Sequence, residues 1–345
     1  MTLPDFWLIV IALLWTGYFF LEGFDFGVGV MLKLLGRDND ERSTLMGTIG
    51  PVWDGNEVWL ITAVGATFAA FPEWYGAMFS AYYLPTFVIL VALILRGLAI
   101  EYRHKRHDDH WLRNWDHVIF WTSLVVPFLW GVLLANLMRG LSFGPDHVFR
   151  GNLLEVFNPF ALLGGVFTVV LFTFHGAVFT ALKTSGPIRR RANGLATWLG
   201  LPTVVVAVAY LAWASLAFGG TPAVVAAAIA VLALIAATAI NFRAREGWAF
   251  LASGIGVIAS TAMVFLAMFP AVMRSSLDPA FDMTVDNTAA GHYTLVIMTW
   301  IAGFATPMVL MYQSWSYWVF RQRIASPGTE HPSPTAHRDV SARSR

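Results

Sequence analysis

The chain lacks cysteine entirely and contains few charged residues. The absence of cysteine from its 345 residues excludes disulfides, thiolate metal ligands and a cysteine nucleophile. Charged residues make up 12% of the sequence, against about 25% in a typical soluble domain. The amino end has neither a basic segment nor a small-residue cleavage site, and its apolar run is long, so we expect no cleavable signal peptide.

What is abundant is apolar sequence. Hydrophobic residues account for 57% of the chain, its mean hydropathy is +0.62, and apolar runs of about 20 residues recur along its length. This pattern predicts an all-α polytopic membrane protein with nine transmembrane helices. Pro127 and Pro307 predict kinks in the fourth and ninth helices. The nine predicted spans lie near 6–33, 48–71, 77–100, 117–138, 160–182, 196–218, 222–241, 248–271 and 292–320.

The basic residues predict the orientation of these spans. They concentrate in alternate loops, whereas the opposite loops contain few basic residues and several acidic ones. By the positive-inside rule, the amino terminus lies outside and the carboxyl terminus lies in the cytoplasm, in agreement with an odd number of spans. The basic loops contain Lys33, Arg37, Arg42, Arg103, Lys105, Arg106, Arg113, Lys183, Arg189, Arg190, Arg191, Arg243, Arg245, Arg321 and Arg323.

Composition also divides the chain into a membrane part and a tail. Residues 1–323 are predicted to form the integral membrane domain. Residues 324–345, rich in Ser, Pro, His and Arg, predict a disordered cytoplasmic tail. Contact of this tail with anionic lipid is an alternative to a solvated tail. The sizeable external loops, 139–158 and 272–291, suit a partner surface better than a folded domain.

A short polar stretch is the most informative part of the sequence. Asp54, Asn56 and Glu57 stand at the start of the second predicted span. Given the orientation, ionisable residues of the first three spans lie at one depth, near the cytoplasmic side. Short loops favour contact between these spans, so we expect their polar residues to converge. The converging set is Glu22, Asp25, Asp54, Asn56, Glu57, Arg96 and Glu101.

Two interpretations of this convergence remain open. Acids in a poorly solvated interior can exchange protons near neutral pH, so the set would form a proton or cation path. Alternatively, Arg96 neutralises one or two carboxylates in a structural ion-pair cluster that holds the helices together. The glycines of the segment 22–29 permit close helix approach and are interpreted as packing residues.

His175 is the only histidine well inside a predicted span. Axial heme ligation is one interpretation of it, and a hydrogen-bonded interior imidazole is the other. No second histidine is placed to complete a bis-imidazole site, and we expect no metal site in this chain. If the protein works in redox chemistry, its metal centres are expected in a partner.

Six short motifs occur in order along most of residues 5–320. They are Glu22–Gly29 (EGFDFGVG), Trp53–Thr62 (WDGNEVWLIT), Leu95–Arg103 (LRGLAIEYR), His175–Ala177 (HGA), Phe269–Val272 (FPAV) and Asp286–Ala290 (DNTAA). In these motifs the chain resembles subunit II of the cytochrome bd-type quinol oxidases. The first two motifs are the most specific, and the predicted tail lies outside the resemblance.

The resemblance implies a heterodimer with subunit I, which carries two b hemes, a d heme and the quinol-oxidising loop. Together the subunits oxidise quinol, reduce oxygen to water and take protons from the cytoplasm without pumping. It also implies two four-helix bundles plus a peripheral ninth helix, in the bacterial plasma membrane, with no redox centre in this chain. Quinone, membrane lipids and small accessory subunits are further expected partners, and nucleic acid is not.

Carried over residue by residue, the resemblance supports Asp54 as the start of a proton path toward the hemes, followed by Glu22 and Asp25. Gln is familiar in this family at the position of Glu57.

Two other functional classes remain as alternatives. Buried acids and nine helices would also serve a proton-coupled transporter, and an ion-pair cluster would serve a purely structural assembly subunit.

Overall fold

The structure is a computed structural model that describes residues 1–325, and this part of the chain is almost entirely helical. It contains thirteen helices, two short strands and one 3-10 turn, at Pro279–Phe281. In chain order the helices and strands are α1 (Leu3–Leu34), α2 (Asn39–Ile49), α3 (Trp53–Ala70), α4 (Pro72–Ala81), α5 (Tyr83–Arg103), α6 (Asp109–Arg139), α7 (Leu153–Val156), α8 (Pro159–Lys183), α9 (Gly186–Phe218), α10 (Thr221–Phe242), α11 (Glu246–Met268), β1 (Ala271–Met273), β2 (Met283–Thr284), α12 (Val285–Thr288) and α13 (His292–Val319).

Eight helices within residues 1–325 are long and apolar enough to cross a membrane: α1, α5, α6, α8, α9, α10, α11 and α13. The predicted class, an all-α polytopic membrane protein, is confirmed, while the count of nine stays a prediction. The predicted span that is absent from these eight corresponds to α3. This helix is only 18 residues long, and its first turns contain the polar residues Asp54, Asn56 and Glu57. Pro127 and Pro307 lie inside α6 and α13.

Prolines divide the second and third predicted spans into more helices than the sequence analysis proposed. The predicted span 48–71 begins within α2 and is interrupted at Pro51, before α3. The predicted span 77–100 is interrupted at Tyr82, between α4 and α5. Pro85 explains the second break, because it has no N–H for the carbonyl of Ala81 and its ring would clash with that carbonyl in a continuous helix.

Two long helices begin earlier than predicted. α6 starts at Asp109 rather than near 117, and Asp108 caps it with a side-chain hydrogen bond. α9 starts at Gly186 rather than near 196, so the arginine run 189–191 lies inside the helix rather than in a loop. Apolar runs mark only the stretch of a helix at membrane depth, so the polar turns that extend beyond it were missed.

α1 is the central helix, since it contacts α3, α6, α8 and α11. It approaches α8 closely, because a Cβ built on Gly27 would lie 2.6 Å from the Cα of Gly176. The interpretation of this glycine as a packing residue is therefore confirmed. α13 contacts α1 and α3, and only 6% of its most apolar stretch is buried.

The predicted cytoplasmic segments meet at one end of the molecule, which we call the basic end. Arg191 of α9 lies 2.5 Å from Glu41 of α2. Arg189 lies 2.8 Å from Glu246 at the start of α11, and Arg323, after α13, lies 3.6 Å from the same carboxylate. Ion pairs therefore connect the segments that follow α1 and α13 to the first turns of α9 and α11.

The two loops predicted to be external fold against each other at the opposite end. β1 and β2 pair antiparallel, with Ala271 opposite Thr284. Oε1 of Glu155 accepts hydrogen bonds from the backbone of Ser142 at 2.9 Å and from the hydroxyl of Ser276 at 3.3 Å. Residues 139–158 and 272–291 thus form a joint structure rather than two separate irregular loops.

The predicted tail, 324–345, begins with a residue that is bonded to the membrane domain. The backbone N–H of Ile324 donates to the carbonyl of Lys183 at 2.8 Å, and its carbonyl accepts from the N–H of Ser185 at 3.0 Å. Residues 326–345 lie outside the described residues, so the rest of the tail stays a prediction.

Candidate functional site

Helix α1 carries two buried acids on one face. Glu22 and Asp25 are three residues apart, and both side chains are fully buried. The start of the helix is fixed by a capping box between Thr2 and Asp5 and by Pro4 in its first turn. From there α1 runs for 32 residues, and both acids lie deep within it.

Arg96 of α5 is the centre of a buried ion-pair cluster. Its Nη1 lies 3.0 Å from Oε2 of Glu22 and 3.1 Å from Oε1 of Glu57. The guanidinium carbon lies 4.6 Å from the centre of the Phe26 ring, which adds a cation–π contact. Nε and Nη2 of Arg96 have no hydrogen-bond partner within residues 1–325. Two carboxylates therefore share one guanidinium, and two of its nitrogens remain available as donors.

A chain of hydrogen bonds connects Asp25 to α13. Nδ2 of Asn56 donates to Oδ2 of Asp25 at 2.6 Å, and the hydroxyl of Tyr317 donates to Oδ1 of Asn56 at 2.7 Å. Nε2 of Gln313 reaches the same oxygen at 3.4 Å, and its own oxygen accepts from the indole of Trp59 at 2.8 Å. The amide of Asn56 is therefore held in one orientation, donating to the acid and accepting from α13.

The contribution of α13 to the site was not predicted from the sequence. Gln313 and Tyr317 are four residues apart, so they share one face of the helix. A polar pair of this spacing inside an apolar helix is a usable signal, because polar groups at membrane depth usually face a protein interior. The sequence could not show that this pair binds Asn56 of α3, because no sequence pattern relates Asn56 to a helix about 260 residues away.

Two of the predicted site residues lie outside the cluster. Asp54, in the first turn of α3, is exposed and forms no hydrogen bond or ion pair with the described residues. Glu101 is also exposed and unpaired within residues 1–325. It follows Arg96 by five residues, which is about 140° around a helix, so the two side chains point to different faces. The other five residues of the predicted converging set form the cluster: Glu22, Glu57 and Arg96 are joined by ion pairs, and beside them Asp25 and Asn56 are joined by a hydrogen bond.

Exposure falls in steps from Asp54 into the interior. Asp54 is exposed, the side chain of Glu57 is 24% exposed, and that of Glu22 is 0% exposed. Full ionisation of the cluster would set the carboxylates of Glu22, Asp25 and Glu57 against the single guanidinium of Arg96. Uncompensated charge is costly to bury, so this arrangement disfavours the simultaneous ionisation of all three acids.

Comparison with known proteins decides the family. A sequence model described as "Cytochrome bd terminal oxidase subunit II" matches residues 3–320. The chain belongs to this family. It is 41% identical over 332 residues to cytochrome bd ubiquinol oxidase subunit 2 of Bacillus subtilis (strain 168), which covers 94% of this chain and 97% of that protein. It is 32% identical over 362 residues to cytochrome bd-I ubiquinol oxidase subunit 2 of Escherichia coli (strain K12), with 94% and 96% covered.

A solved structure shows the same fold. The bd oxidase from Geobacillus thermodenitrificans superposes with a TM-score of 0.71 at 19% sequence identity, covering 93% of this chain and 99% of that one. The resemblance drawn from the six sequence motifs is confirmed by the family match. As a subunit II of cytochrome bd oxidase, the chain is a multi-pass bacterial membrane protein and a component of an oxidoreductase complex. The family implies a subunit I partner that carries the hemes.

The surroundings of His175 test whether this subunit II could itself hold a heme. Its imidazole is fully buried, and Nδ1 lies 2.7 Å from the hydroxyl of Ser253. The ring stacks on Phe250 with centres 4.7 Å apart, and Phe20 and Phe24 contact it at 5.6 Å and 6.1 Å. Nε2 forms no hydrogen bond with the described residues, and its surface is buried among these aromatic rings rather than facing an open space where a heme iron could bind. These residues do not fit a heme.

A second buried ion pair lies toward the basic end of the subunit. Nε of Arg103 lies 2.6 Å from Oδ1 of Asp116, and Nη1 of Arg42 lies 3.5 Å from Oδ2 of the same acid. Nη1 of Arg103 also donates to the hydroxyl of Ser43 at 2.9 Å. From the sequence, Arg42 and Arg103 were predicted only to be basic residues of cytoplasmic loops. Their contacts hold the short helix α2 against α5 and α6, ahead of the polar start of α3.

Proposed function

We propose that this chain is the subunit of a quinol:oxygen oxidoreductase that gives cytoplasmic protons a path toward the hemes of subunit I. In this proposal subunit I carries two b hemes and the d heme, oxidises quinol and reduces oxygen to water. The reaction is electrogenic without pumping, because the protons it consumes come from the cytoplasm. Support comes from the family, from two relatives named as ubiquinol oxidase subunits, and from the poor fit of His175 to a heme.

The proposal includes nine transmembrane helices, with α3 as the second, and an external amino terminus. The ion pairs of the basic end support this orientation, because they bring the basic segments to one side. Helix contacts support two bundles. α8, α9, α10 and α11 contact one another in a closed ring, and α3, α1, α6 and α5 contact one another in that order. α13 is then the peripheral ninth helix.

The fall in exposure from Asp54 to Glu22 is the observation that carries the proton path. A proton that arrives at the exposed carboxylate of Asp54 has Glu57 as its next acceptor, three residues along the same helix face. Glu57 and Glu22 both contact Nη1 of Arg96, so a proton can pass between them within one cluster. Asp25 follows on the same face of α1, three residues from Glu22.

One observation favours the alternative, a structural assembly subunit. Arg96 is fully buried and binds carboxylates of two other helices, as expected of an ion pair that holds helices together. The two functions are separable at Asp54, because that carboxylate forms no ion pair with the described residues. Replacing it removes a proton acceptor and leaves the Arg96 cluster intact.

The test is Asp54→Asn in the assembled complex, scored by quinol-dependent oxygen consumption and by heme content. The proton path predicts a strong loss of turnover with full heme content. Glu101→Gln is the matched control, since it neutralises another exposed acid near the same end without touching the cluster. Full turnover in Asp54→Asn would remove Asp54 from the path, and a parallel loss of heme and turnover would favour the structural alternative.

A further inference from the structure

A cleft of about 860 Å³ lies between α1 and α13, toward the basic end. Its volume is within the range of about 300–1,000 Å³ that is typical of small-molecule sites. The ends of α2 and α8 form its sides, and residues 319–324 lie across its mouth. None of the predicted site residues lines this cleft.

The wall of the cleft is apolar over most of its length. On α1 it is formed by Gly17, Phe20, Leu21 and Phe24, which recur at the spacing of a single helix face. Leu310 of α13 lines the opposite side. An apolar trough between two membrane helices matches the chemistry of a hydrocarbon chain.

Hydrogen bonds hold the segment after α13 against the end of α8 at the mouth of the cleft. The backbone of Ile324 exchanges hydrogen bonds with the end of α8, donating to Lys183 at 2.8 Å and accepting from Ser185 at 3.0 Å. The ammonium group of Lys183 donates to the carbonyl of Gln322 at 3.1 Å and also to that of Phe320. The segment after α13 is thereby tied across the mouth of the cleft.

Positive charge is concentrated at this mouth. Lys183, Arg321 and Arg323 all line it. Of these three residues, Arg323 has an acidic partner, Glu246 at 3.6 Å, and Arg189 binds the same acid at 2.8 Å. Nη1 of Arg321 donates to a backbone carbonyl, which leaves its other nitrogens able to bind an anion. Basic groups that close an apolar cleft at the cytoplasmic side of membrane helices are typical of sites for anionic headgroups.

We propose that this cleft binds one anionic glycerophospholipid. Its acyl chains lie along the α1 wall between Gly17 and Phe24, and its phosphate lies at Arg321 and Arg323. Charge complementarity favours an anionic lipid, because a neutral isoprenoid or a zwitterionic lipid would leave Arg321 without an acidic partner among the described residues. The segment 326–345 is a poor occupant, since its composition is mainly polar and the cleft wall is apolar.

The experiment uses the complex of this chain with subunit I, purified in mild detergent. The probes are phosphatidylglycerol and phosphatidylcholine that carry the same photoactivatable acyl chain, with the cross-linked peptides located by mass spectrometry. We expect phosphatidylglycerol to label the α1 peptide around Phe20 and Leu21, and the α13 peptide around Leu310, in preference to phosphatidylcholine. The double variant Arg321→Gln/Arg323→Gln should lower the affinity of the cleft for phosphatidylglycerol roughly 30-fold, because each basic residue contributes about 1 kcal/mol to the binding of an anionic lipid.

Two further variants keep the result interpretable. Arg243→Gln/Arg245→Gln removes the same charge from another exposed loop at the basic end and should retain the labelling. Ser314→Trp fills the cleft without changing charge and should abolish labelling by either probe, with heme content reporting assembly. Equal labelling by both lipids, equal loss in the two arginine double variants, or recovery of a quinone from the cleft in place of lipid would each overturn the proposal.

Discussion

Tyr317 of α13 donates a hydrogen bond of 2.7 Å to the side-chain oxygen of Asn56 in α3. Asn56 in turn donates to Asp25 of α1 over 2.6 Å, so α13 fixes an acid of α1 through a single amide. Only 6% of the most apolar stretch of α13 is buried, so this helix contributes little to the packed core. Its contribution to the site is the orientation of Asn56.

Tyr317→Phe tests this relationship. The variant keeps the ring and removes the hydroxyl, so Asn56 loses a donor worth about 0.5–1.5 kcal/mol and its amide is less firmly oriented. We expect turnover of the assembled complex to fall roughly 2- to 10-fold at unchanged heme content, measured as quinol-dependent oxygen consumption. Tyr312→Phe is the control, because Tyr312 is exposed on the same helix and lies outside the cluster. Equal turnover in the two variants would show that the hydroxyl does not matter.

Arg96→Met tests the ion-pair cluster. Removing one partner of a buried pair costs about 3–5 kcal/mol, so we expect less assembled complex and proportionally less heme. Glu22→Gln in the same chain removes one of the carboxylates left uncompensated, and part of the yield should return. The control is Arg106→Met, because the pair of Arg106 with Asp108 is exposed at 62% and 47% and contributes at most about 1 kcal/mol. Full assembly of Arg96→Met would show that the cluster does not hold the helices together.

The sequence predicted the class of the fold and most of the cluster for one physical reason. Ionisable residues are costly at membrane depth, so Glu22, Asp25 and Arg96 stand out against apolar runs. Apolar runs say little about where a helix begins or breaks. The division at Tyr82 depends on the missing N–H of Pro85, and α2 is too polar to register as part of a span.

The parts of the site that sequence could not predict depend on side-chain direction and on distant contacts. Asp54 and Glu57 share a helix face, yet only Glu57 reaches Arg96, since Asp54 is one turn nearer the exposed helix start. Tyr317 reaches Asn56 across about 260 residues of sequence, and local periodicity carries no information about such a pair.

The orientation can be tested by labelling single engineered cysteines, since the chain has no cysteine of its own. His107→Cys lies in the exposed loop between α5 and α6, and Val148→Cys lies in an exposed loop at the opposite end. A membrane-impermeant maleimide should label His107→Cys only from the cytoplasmic side and Val148→Cys only from outside. The reverse pattern would invert the orientation and remove the cytoplasmic source of protons.

Asp25 offers the sharpest test of whether protons pass through this subunit. This acid accepts its hydrogen bond from Asn56 and forms no ion pair within the described residues, so Asp25→Asn changes proton exchange without breaking the Arg96 pairs. The control is Asp109→Asn, because Asp109 also accepts from an asparagine, at 2.8 Å, but is exposed.

The measurement is the rate of proton uptake by the assembled, fully reduced complex as it reacts with oxygen, followed with a pH-indicator dye. With heme spectra unchanged, we expect Asp25→Asn to slow proton uptake roughly 100-fold or more, as expected when a positioned acid–base group is lost, and Asp109→Asn to leave it unchanged. Proton uptake at the normal rate in Asp25→Asn would show that protons reach the hemes without passing through this cluster.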